Sequence, residues 1–190
     1  EINKIDDVPV LYITSYADKE TVEKAKHTGP AAYIIKPVDQ KLLHTNIEMA
    51  LFRHQMEREL KSERDFIDSL LQLSPAFYVA VDENLDVRMM NHAVCSSLGY
   101  TRDEVKGKKF IETYIPGYEH DTAVSFFNTL LNKNESGRII IHLEGKTGKI
   151  FLVDWHGKVI FDRDGDVDFY YLMGIDVTEA KRTEEALRVS

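Results

Sequence analysis

Residues 138–176, RIIIHLEGKTGKIFLVDWHGKVIFDRDGDVDFYYLMGID, decide the fold of the larger part of the chain. Three runs rich in β-branched and aromatic residues are predicted strands, at 138–143, 150–155 with an extension towards 161, and 167–175. The turns between them, at 144–148 and 162–166, contain glycine and charged residues. Because connections this short join antiparallel neighbours, the stretch predicts three antiparallel strands of one sheet.

Two further strands and several short helices precede this stretch. Residues 77–81 and 87–90 read as strands on either side of a turn at 82–84. Helical segments between 93 and 127 are interrupted at Gly99, Gly107, Pro116 and Gly117. A last helix begins near Thr178. Two strands, helices and three strands in this order predict an α+β domain with one antiparallel sheet.

The first 37 residues have a different pattern. Residues 8–14 and 31–35 are short apolar runs of the kind that form buried strands, and 18–27 reads as a helix between them. A β-α-β-α order with short connections predicts a parallel sheet in an α/β domain. Two strands cannot cover two helices, so we expect this α/β unit to be incomplete.

A long helix is predicted from Asp39 to about Leu73, because no glycine or proline occurs before Pro75. Such a length is typical of a coiled coil or a rigid connector. One heptad register places five apolar residues on a seam, Met49, Met56, Leu60, Ile67 and Leu70, although Arg53 and Glu63 share it. Both a parallel dimer seam and a solvated surface helix remain open.

Composition excludes several classes of function. The 190 residues carry a net charge of −8, which argues against nucleic acid and anionic membrane partners. Cys95 is the only cysteine, a usage that fits a reducing, cytoplasmic compartment, and no apolar stretch is long enough to span a membrane. The sequence has no nucleophile elbow, Walker-type loop or paired Cys/His pattern, so we predict no catalytic residue and no metal site.

Residues 8–52 resemble the C-terminal part of a response-regulator receiver domain, a partial flavodoxin-like fold with its last two strands and helices. The resemblance rests on LYITSYAD at 11–18, TG at 28–29 and YIIKP at 33–37. It implies that Thr14 and Lys36 contact a phosphoryl group, that the rotamer of Tyr33 reports phosphorylation, and that the peptide bond before Pro37 is cis. The family's first three strands have no counterpart, nor has its phosphoacceptor aspartate. We therefore expect this chain not to accept phosphate and Mg²⁺ to bind only a complete receiver.

Residues 64–178 resemble a PAS domain. Five motifs occur in the family's order, NHA at 91–93, LGY at 98–100, EVKGK at 104–108, GKTG at 145–148 and GIDVTE at 174–179. Asn91 closes a strand and is expected to cap the next turn. Asp176, Thr178 and Glu179 are predicted to cap the outgoing helix and to form the signal junction of the domain.

The PAS resemblance implies a fold more than a ligand. Pocket candidates between helices and sheet are Phe77, Met89, Phe110, Phe127, Trp155 and Tyr171, which either line a small-molecule site or simply fill a core. No cofactor is certain and the PAS ligand is unknown. His120 lies in a segment resembling the proximal-histidine helix of haem PAS kinases, but a satisfied histidine is favoured over a haem ligand.

Together these resemblances indicate a two-component signalling protein. We predict a receiver part at 1–52, a connector helix at 53–68, a PAS domain at 69–178 and the start of an output helix at 179–190. The expected function is phosphorelay signal transduction with a PAS domain that senses a small molecule or mediates dimerisation, in a homodimer that exchanges signals with another phosphorelay protein. The alternatives are the sensory part of a histidine kinase whose catalytic domain lies beyond Ser190, and a haem-based gas sensor.

Overall fold

The computed structural model describes residues 8–15, 31–133 and 135–189, and the chain divides into two units, Glu1–Ile67 and Asp68–Ser190. The predicted helix at 18–27 lies outside the described residues, as does the side chain of Tyr33. No helix in the described ranges is both long enough and apolar enough to cross a membrane.

The first unit contains two short strands, β1 (Leu11–Thr14) and β2 (Ala32–Ile35), which pair in parallel as predicted. Thr14 lies opposite Ile35, and the Lys36 backbone N–H donates to the Thr14 carbonyl at 2.8 Å, which extends the pairing by one residue. The peptide bond between Lys36 and Pro37 is cis, as predicted.

The long helix α1 (Gln40–Leu73) has 34 residues and is therefore about 51 Å long. Asp39 precedes the helix and caps its start: its side-chain Oδ1 accepts from the backbone N–H groups of Lys41 and Leu42 at 2.8 and 3.0 Å. This cap satisfies two of the amides that a helix start leaves without a partner. Ala50 is the one buried residue of α1, and all five predicted seam residues are exposed.

The second unit is built on a five-stranded antiparallel sheet in the order β4-β3-β7-β6-β5. The predicted α+β arrangement is confirmed. Its strands are β3 (Phe77–Val81), β4 (Val87–Met90), β5 (Gly137–Glu144), β6 (Ile150–Phe161) and β7 (Val167–Asp176).

Helices lie between β4 and β5 and after β7. They are α2 (His92–Leu98), α3 (Arg102–Val105), α4 (Phe110–Tyr114), a short 3-10 turn (Gly117–Glu119), α5 (His120–Lys133) and α6 (Thr178–Val189). The breaks between α2 and α5 fall where glycine and proline predict them. Gly99 ends α2 with a φ of 77°, a left-handed conformation that glycine adopts without strain.

One face of the sheet, the inner face, is buried under these helices. Along β6, Phe151, Val153 and Trp155 are buried while the residues between them are more exposed, because successive side chains of a strand point to opposite faces. Helix α5 lies close to two facing glycines, Gly137 and Gly157, where an added Cβ would meet Phe126 and Leu130 at 3.0 Å or less. The absence of side chains there lets the helix approach the sheet.

Candidate functional site

A small cavity, the core cavity, lies between the inner face and helices α4 and α5. Its volume is about 10 Å³, close to the space that one water molecule requires. It is lined by Phe110, Ile115, Ala123, Phe126, Phe127, Ile139, Ile141, Trp155 and Leu172. The surface of the cavity is therefore apolar.

Aromatic rings surround this cavity. Phe110 packs edge-on against Trp155, with ring centroids 6.4 Å apart, and against Phe127 at the same separation. Its ring also lies 6.1 Å from that of Tyr114, and Phe77 lies 6.3 Å from Trp155 on the other side. The ring of Phe110 therefore packs against both Trp155 and Tyr114.

Two buried polar groups stand out in this interior. The Trp155 Nε1–H and the Tyr114 hydroxyl are both buried and have no hydrogen-bond partner among the described residues. Burial raises the pKa of Tyr114 to about 12, so this hydroxyl is neutral at physiological pH. A buried hydrogen-bonding group without a partner costs free energy, which makes these two positions suited to a polar guest.

The structure places four of the six pocket candidates inside and two outside. Phe77, Phe110, Phe127 and Trp155 are buried in the core, and all but Phe77 line the cavity. Assigning Met89 and Tyr171 to the pocket was wrong. Both lie on the opposite, outer face of the sheet, paired with Ala80 on β3.

The reason is strand parity. Tyr170 and Leu172 point into the core, so Tyr171 between them points outward and stacks on Tyr78, with ring centroids 6.0 Å apart. In β4 a bulge shifts the register between Ala80 and Val81, so Met90 faces inward beside Val79 and Met89 faces outward.

His120 is held by the backbone. Its Nε2 lies 2.8 Å from the Ile115 carbonyl and donates to it, so this nitrogen is not free to bind iron without breaking that bond. The preceding residue, Glu119, accepts from the His142 backbone N–H at 2.7 Å and also contacts the His142 ring at 2.9 Å. A core cavity of one-water size and this bound imidazole do not fit a haem in the observed conformation.

The predicted signal junction is built around Thr178. Its Oγ1 accepts from the Leu152 backbone N–H of β6 at 2.8 Å and donates to the Asp176 carboxylate. The same Asp176 oxygen accepts from the Thr178 backbone N–H at 2.9 Å, and the Val177 N–H donates to the Leu152 carbonyl at 2.8 Å. The start of α6 is therefore bonded directly to the neighbouring strand.

Two details of the junction differ from the prediction. The Thr178 hydroxyl was expected to accept from the first turn of its own helix, but it accepts from β6, because β6 runs beside the end of β7. Glu179 was also predicted to cap the helix, yet its carboxylate accepts none of the described hydrogen bonds of this region. Leu152 and Tyr114 are residues of interest that the sequence did not indicate by motif.

The predicted receiver residues lie in the first unit. Thr14 and Lys36 are adjacent across the β1–β2 pair, through the backbone bond described above. Lys36 and Pro37 are exposed. Among the described residues, no group of three or more His, Cys, Asp or Glu side chains is arranged to hold a metal ion.

The PAS fold family matches residues 65–177, more than half of the chain. The chain therefore belongs to the PAS family.

Three relatives give the context of this domain. The cell-division control histidine kinase PdhS of Brucella ovis is 28% identical over 158 residues, a match that covers 80% of this chain and 15% of the kinase. A PAS domain from a two-component sensor histidine kinase is 17% identical, with a TM-score of 0.52, over 61% of this chain and 97% of that one. The PAS domain of a protein from Colwellia psychrerythraea is 14% identical, with a TM-score of 0.55, over 63% of this chain and 98% of that one.

Both solved structures share the PAS fold with this chain. At identities this low, the solved structures show the fold alone. The chain spans about 15% of the length of the curated relatives that it matches.

Proposed function

We propose that the chain is the sensory part of a histidine kinase, in which the PAS domain controls the helix that leaves it, α6. The observation that carries this proposal is the Thr178 hydroxyl, which joins α6 to β6 and to Asp176 at the end of β7. The kinase relatives support it, since they place similar sequence inside a longer signalling protein.

The hydrogen bonds of the Thr178 hydroxyl contribute a free energy of the size that is needed to couple two sites. Removing the Thr178 hydroxyl leaves the half-buried Leu152 N–H without its acceptor and takes one hydrogen bond from Asp176. The expected cost is about 1–3 kcal/mol. This range matches the free energies that couple distant sites in proteins, about 1–3 kcal/mol, and is smaller than the stability of a domain, about 5–15 kcal/mol.

The test uses the full-length parent protein and measures its autophosphorylation. Thr178→Val keeps the shape of the side chain and removes the hydroxyl, so we expect the kinase rate to change by about fivefold or more while the PAS domain stays folded. Thr183→Val is the matched control, because the Thr183 hydroxyl donates to the Glu179 carbonyl within α6 and does not contact the sheet. Equal rates for Thr178→Val and Thr183→Val would contradict the proposal.

A second proposed function is the sensing of a small polar molecule in the core cavity. The Trp155 N–H supports it, because Trp155 lines the cavity and a guest that accepts a hydrogen bond would remove the cost of burying this N–H unbonded. The cavity is small, so such a guest enters only with a movement of its aromatic lining, of which Phe110 contacts both Trp155 and Tyr114.

Acetamide is a suitable probe, since it is small and its carbonyl is a good acceptor. We expect acetamide to raise the thermal unfolding midpoint of the purified chain and to raise it less in Trp155→Phe, which lacks the N–H. Tyr118→Phe serves as the control, because Tyr118 is 74% exposed and lies outside the core. An equal rise in wild type and Trp155→Phe would refute this site.

We also propose that the chain forms a homodimer through α1. The seam residues Met49, Met56, Leu60, Ile67 and Leu70 are 40–69% exposed, and a coiled coil would bury them. Sedimentation at tens of micromolar should give a dimer for wild type and more monomer for Leu60→Glu. Leu51→Glu changes an equally apolar exposed position off the seam and should remain dimeric. A wild-type monomer would contradict this proposal.

For residues 1–52 we propose a place in the receiver domain of the parent protein. The parallel pairing of β1 and β2 and the adjacency of Thr14 and Lys36 support this assignment. In the parent protein treated with a small phosphodonor and Mg²⁺, Lys36→Ala should abolish the effect of phosphorylation on the kinase rate. Lys41→Ala, an exposed lysine on α1, should not. A parent protein that takes up no phosphate on this domain would contradict the assignment.

A further inference from the structure

Asn91 is the one buried polar or charged residue of the described core, with no exposed surface. Its amide makes four hydrogen bonds. The Oδ1 accepts from the backbone N–H groups of Tyr78 at 3.1 Å and Val94 at 3.3 Å, and the Nδ2 donates to the carbonyls of Leu71 and Ala76, both at 2.9 Å. This is the full capacity of an amide side chain.

These bonds join three elements, and one of them is the end of the long helix. The Leu71 carbonyl lies in the last turn of α1, where helix carbonyls have no partner within the helix. One residue further on, the Gln72 Oε1 accepts from the His92 backbone N–H at 2.9 Å, a free amide of the first turn of α2. The end of α1 and the start of α2 therefore cap each other through two side-chain amides. We call Asn91, Gln72 and the Leu71 carbonyl the input latch.

The latch continues into the core. Two partners of Asn91, Ala76 just before β3 and Tyr78 within it, are the neighbours of Phe77, whose ring packs against Trp155. The Trp155 ring in turn lies over Gly174, two residues before Asp176 of the signal junction. Asn91, Phe77 and Trp155 thus form a continuous series of hydrogen-bonded and packed side chains. This series connects the last turn of α1 with β7, the strand that leads into α6.

We propose that the input latch couples the position of the last turn of α1 to the packing of Trp155, so that the PAS domain receives a signal from α1 as well as sending one through α6. This inference rests on the proposed signalling function. An amide suits the role because its nitrogen bonds both sides at once: Asn91 Nδ2 donates to Leu71 at the end of α1 and to Ala76 just before β3, while its oxygen accepts within the PAS domain. A buried side chain with two donors and two acceptors cannot follow the helix without changing its bonds to β3.

The test uses the 190-residue chain and two readouts. Trp155 is the only tryptophan, so its fluorescence emission reports the core, and hydrogen exchange of residues 70–75 reports the end of α1. Gln72→Leu removes the acceptor for the His92 N–H and also the bond that Gln72 Nε2 donates to Asp68 Oδ1 at 3.3 Å, so Asp68→Ala, which removes only the second bond, is the matched control. We expect Gln72→Leu to speed exchange at 70–75 about tenfold and to shift Trp155 emission, and Asp68→Ala to resemble wild type.

A double-mutant cycle distinguishes coupling from a merely structural cap. Asn91→Asp keeps the oxygens that accept from Tyr78 and Val94 but loses both donors, so the latch to Leu71 is broken. We expect Gln72→Leu to cause no further emission shift in the Asn91→Asp background. Faster exchange at 70–75 with unchanged Trp155 emission in Gln72→Leu would overturn the inference, as would an equal emission shift in both backgrounds. If Asn91→Asp does not fold, the comparison of Gln72→Leu with Asp68→Ala decides the question alone.

These outcomes are independent of the kinase assay. Equal autophosphorylation of Thr178→Val and Thr183→Val would refute the proposed function and leave the latch measurements standing. Unchanged emission in Gln72→Leu would refute the latch while leaving the output junction intact.

Discussion

Gly174 of β7 lies beneath the ring of Trp155, and adding a single methyl group there should disturb the whole core. A Cβ on Gly174 would lie 2.6 Å from Cε3 of Trp155 and 2.6 Å from Cγ1 of Val153. Neither side chain can retreat, because Trp155 and Val153 are 2% and 0% exposed. Overpacking of this kind costs about 1–3 kcal/mol, more than the roughly 0.4–1 kcal/mol that Gly→Ala gains by restricting the unfolded chain. Gly174→Ala should therefore be less stable than wild type.

The assay is chemical unfolding followed by Trp155 fluorescence, with the native emission maximum as a second readout. Gly174→Ala should lower the midpoint and shift the native emission, because the ring has to move. Gly117→Ala is the matched control, since a Cβ there would meet no atom within 4 Å, and it should stay within about 0.5 kcal/mol of wild type. If Gly174→Ala has the same stability and the same emission maximum as wild type, the Trp155 ring does not pack against Gly174.

The Glu104–Lys146 ion pair at the surface and the buried Tyr114 hydroxyl should each affect stability in a measurable way. The Lys146 ammonium, together with the Thr101 amide and hydroxyl, lowers the pKa of Glu104 from 4.5 to about 2, so its stabilising contribution is present above pH 4.5 and is lost as pH falls towards 2. Acid unfolding followed by circular dichroism should thus show a smaller loss of stability over this range in Glu104→Gln than in wild type, and equal losses would contradict the pairing. Tyr114→Phe should raise the unfolding midpoint, because it removes a buried hydroxyl without a described partner, at a cost of about 1–3 kcal/mol. A lower midpoint would mean that the hydroxyl is bonded in solution.

The sequence predicts the fold of the second unit well because each strand is bounded by turn residues. Glycine, proline and charged residues occur where the structure has its turns, and β3 and β4 have the predicted bounds. The face that each side chain occupies was harder to predict. Tyr170 and Tyr171 are equally plausible core aromatics in sequence, and only the pairing of β7 with its neighbours decides that Tyr170 is inside. The β4 bulge reverses the expected parity of Met89 in the same way.

The contacts that carry the proposed signalling are not visible in sequence because they are long-range. Asn91 was predicted to cap α2, which the bond to Val94 confirms, but its bond to Leu71 spans 20 residues. The Leu152–Thr178 bond spans 26 residues and depends on β6 and β7 being neighbours. Local cap motifs predict which residue supplies a hydroxyl or an amide for hydrogen bonding. The tertiary fold decides with which distant group that side chain bonds.

In the first unit the short apolar runs predict two strands and their parallel pairing, both of which are confirmed. Two roles stay predictions: the contact of Thr14 and Lys36 with a phosphoryl group, and the report of phosphorylation by Tyr33. Both depend on the phosphoacceptor aspartate of a receiver domain, which residues 1–52 do not include.

We have proposed that a change in the PAS core reaches α6 through the Thr178 hydroxyl. The most direct measurement is hydrogen exchange of the α6 amides after a change in the core that is remote from α6 in sequence, Phe110→Leu, which removes the ring packed against Trp155. We expect Phe110→Leu to alter exchange in the first turns of α6 by about fivefold or more when Thr178 is present, and to leave it unchanged in the Thr178→Val background. The same alteration of α6 in both backgrounds would contradict the claim.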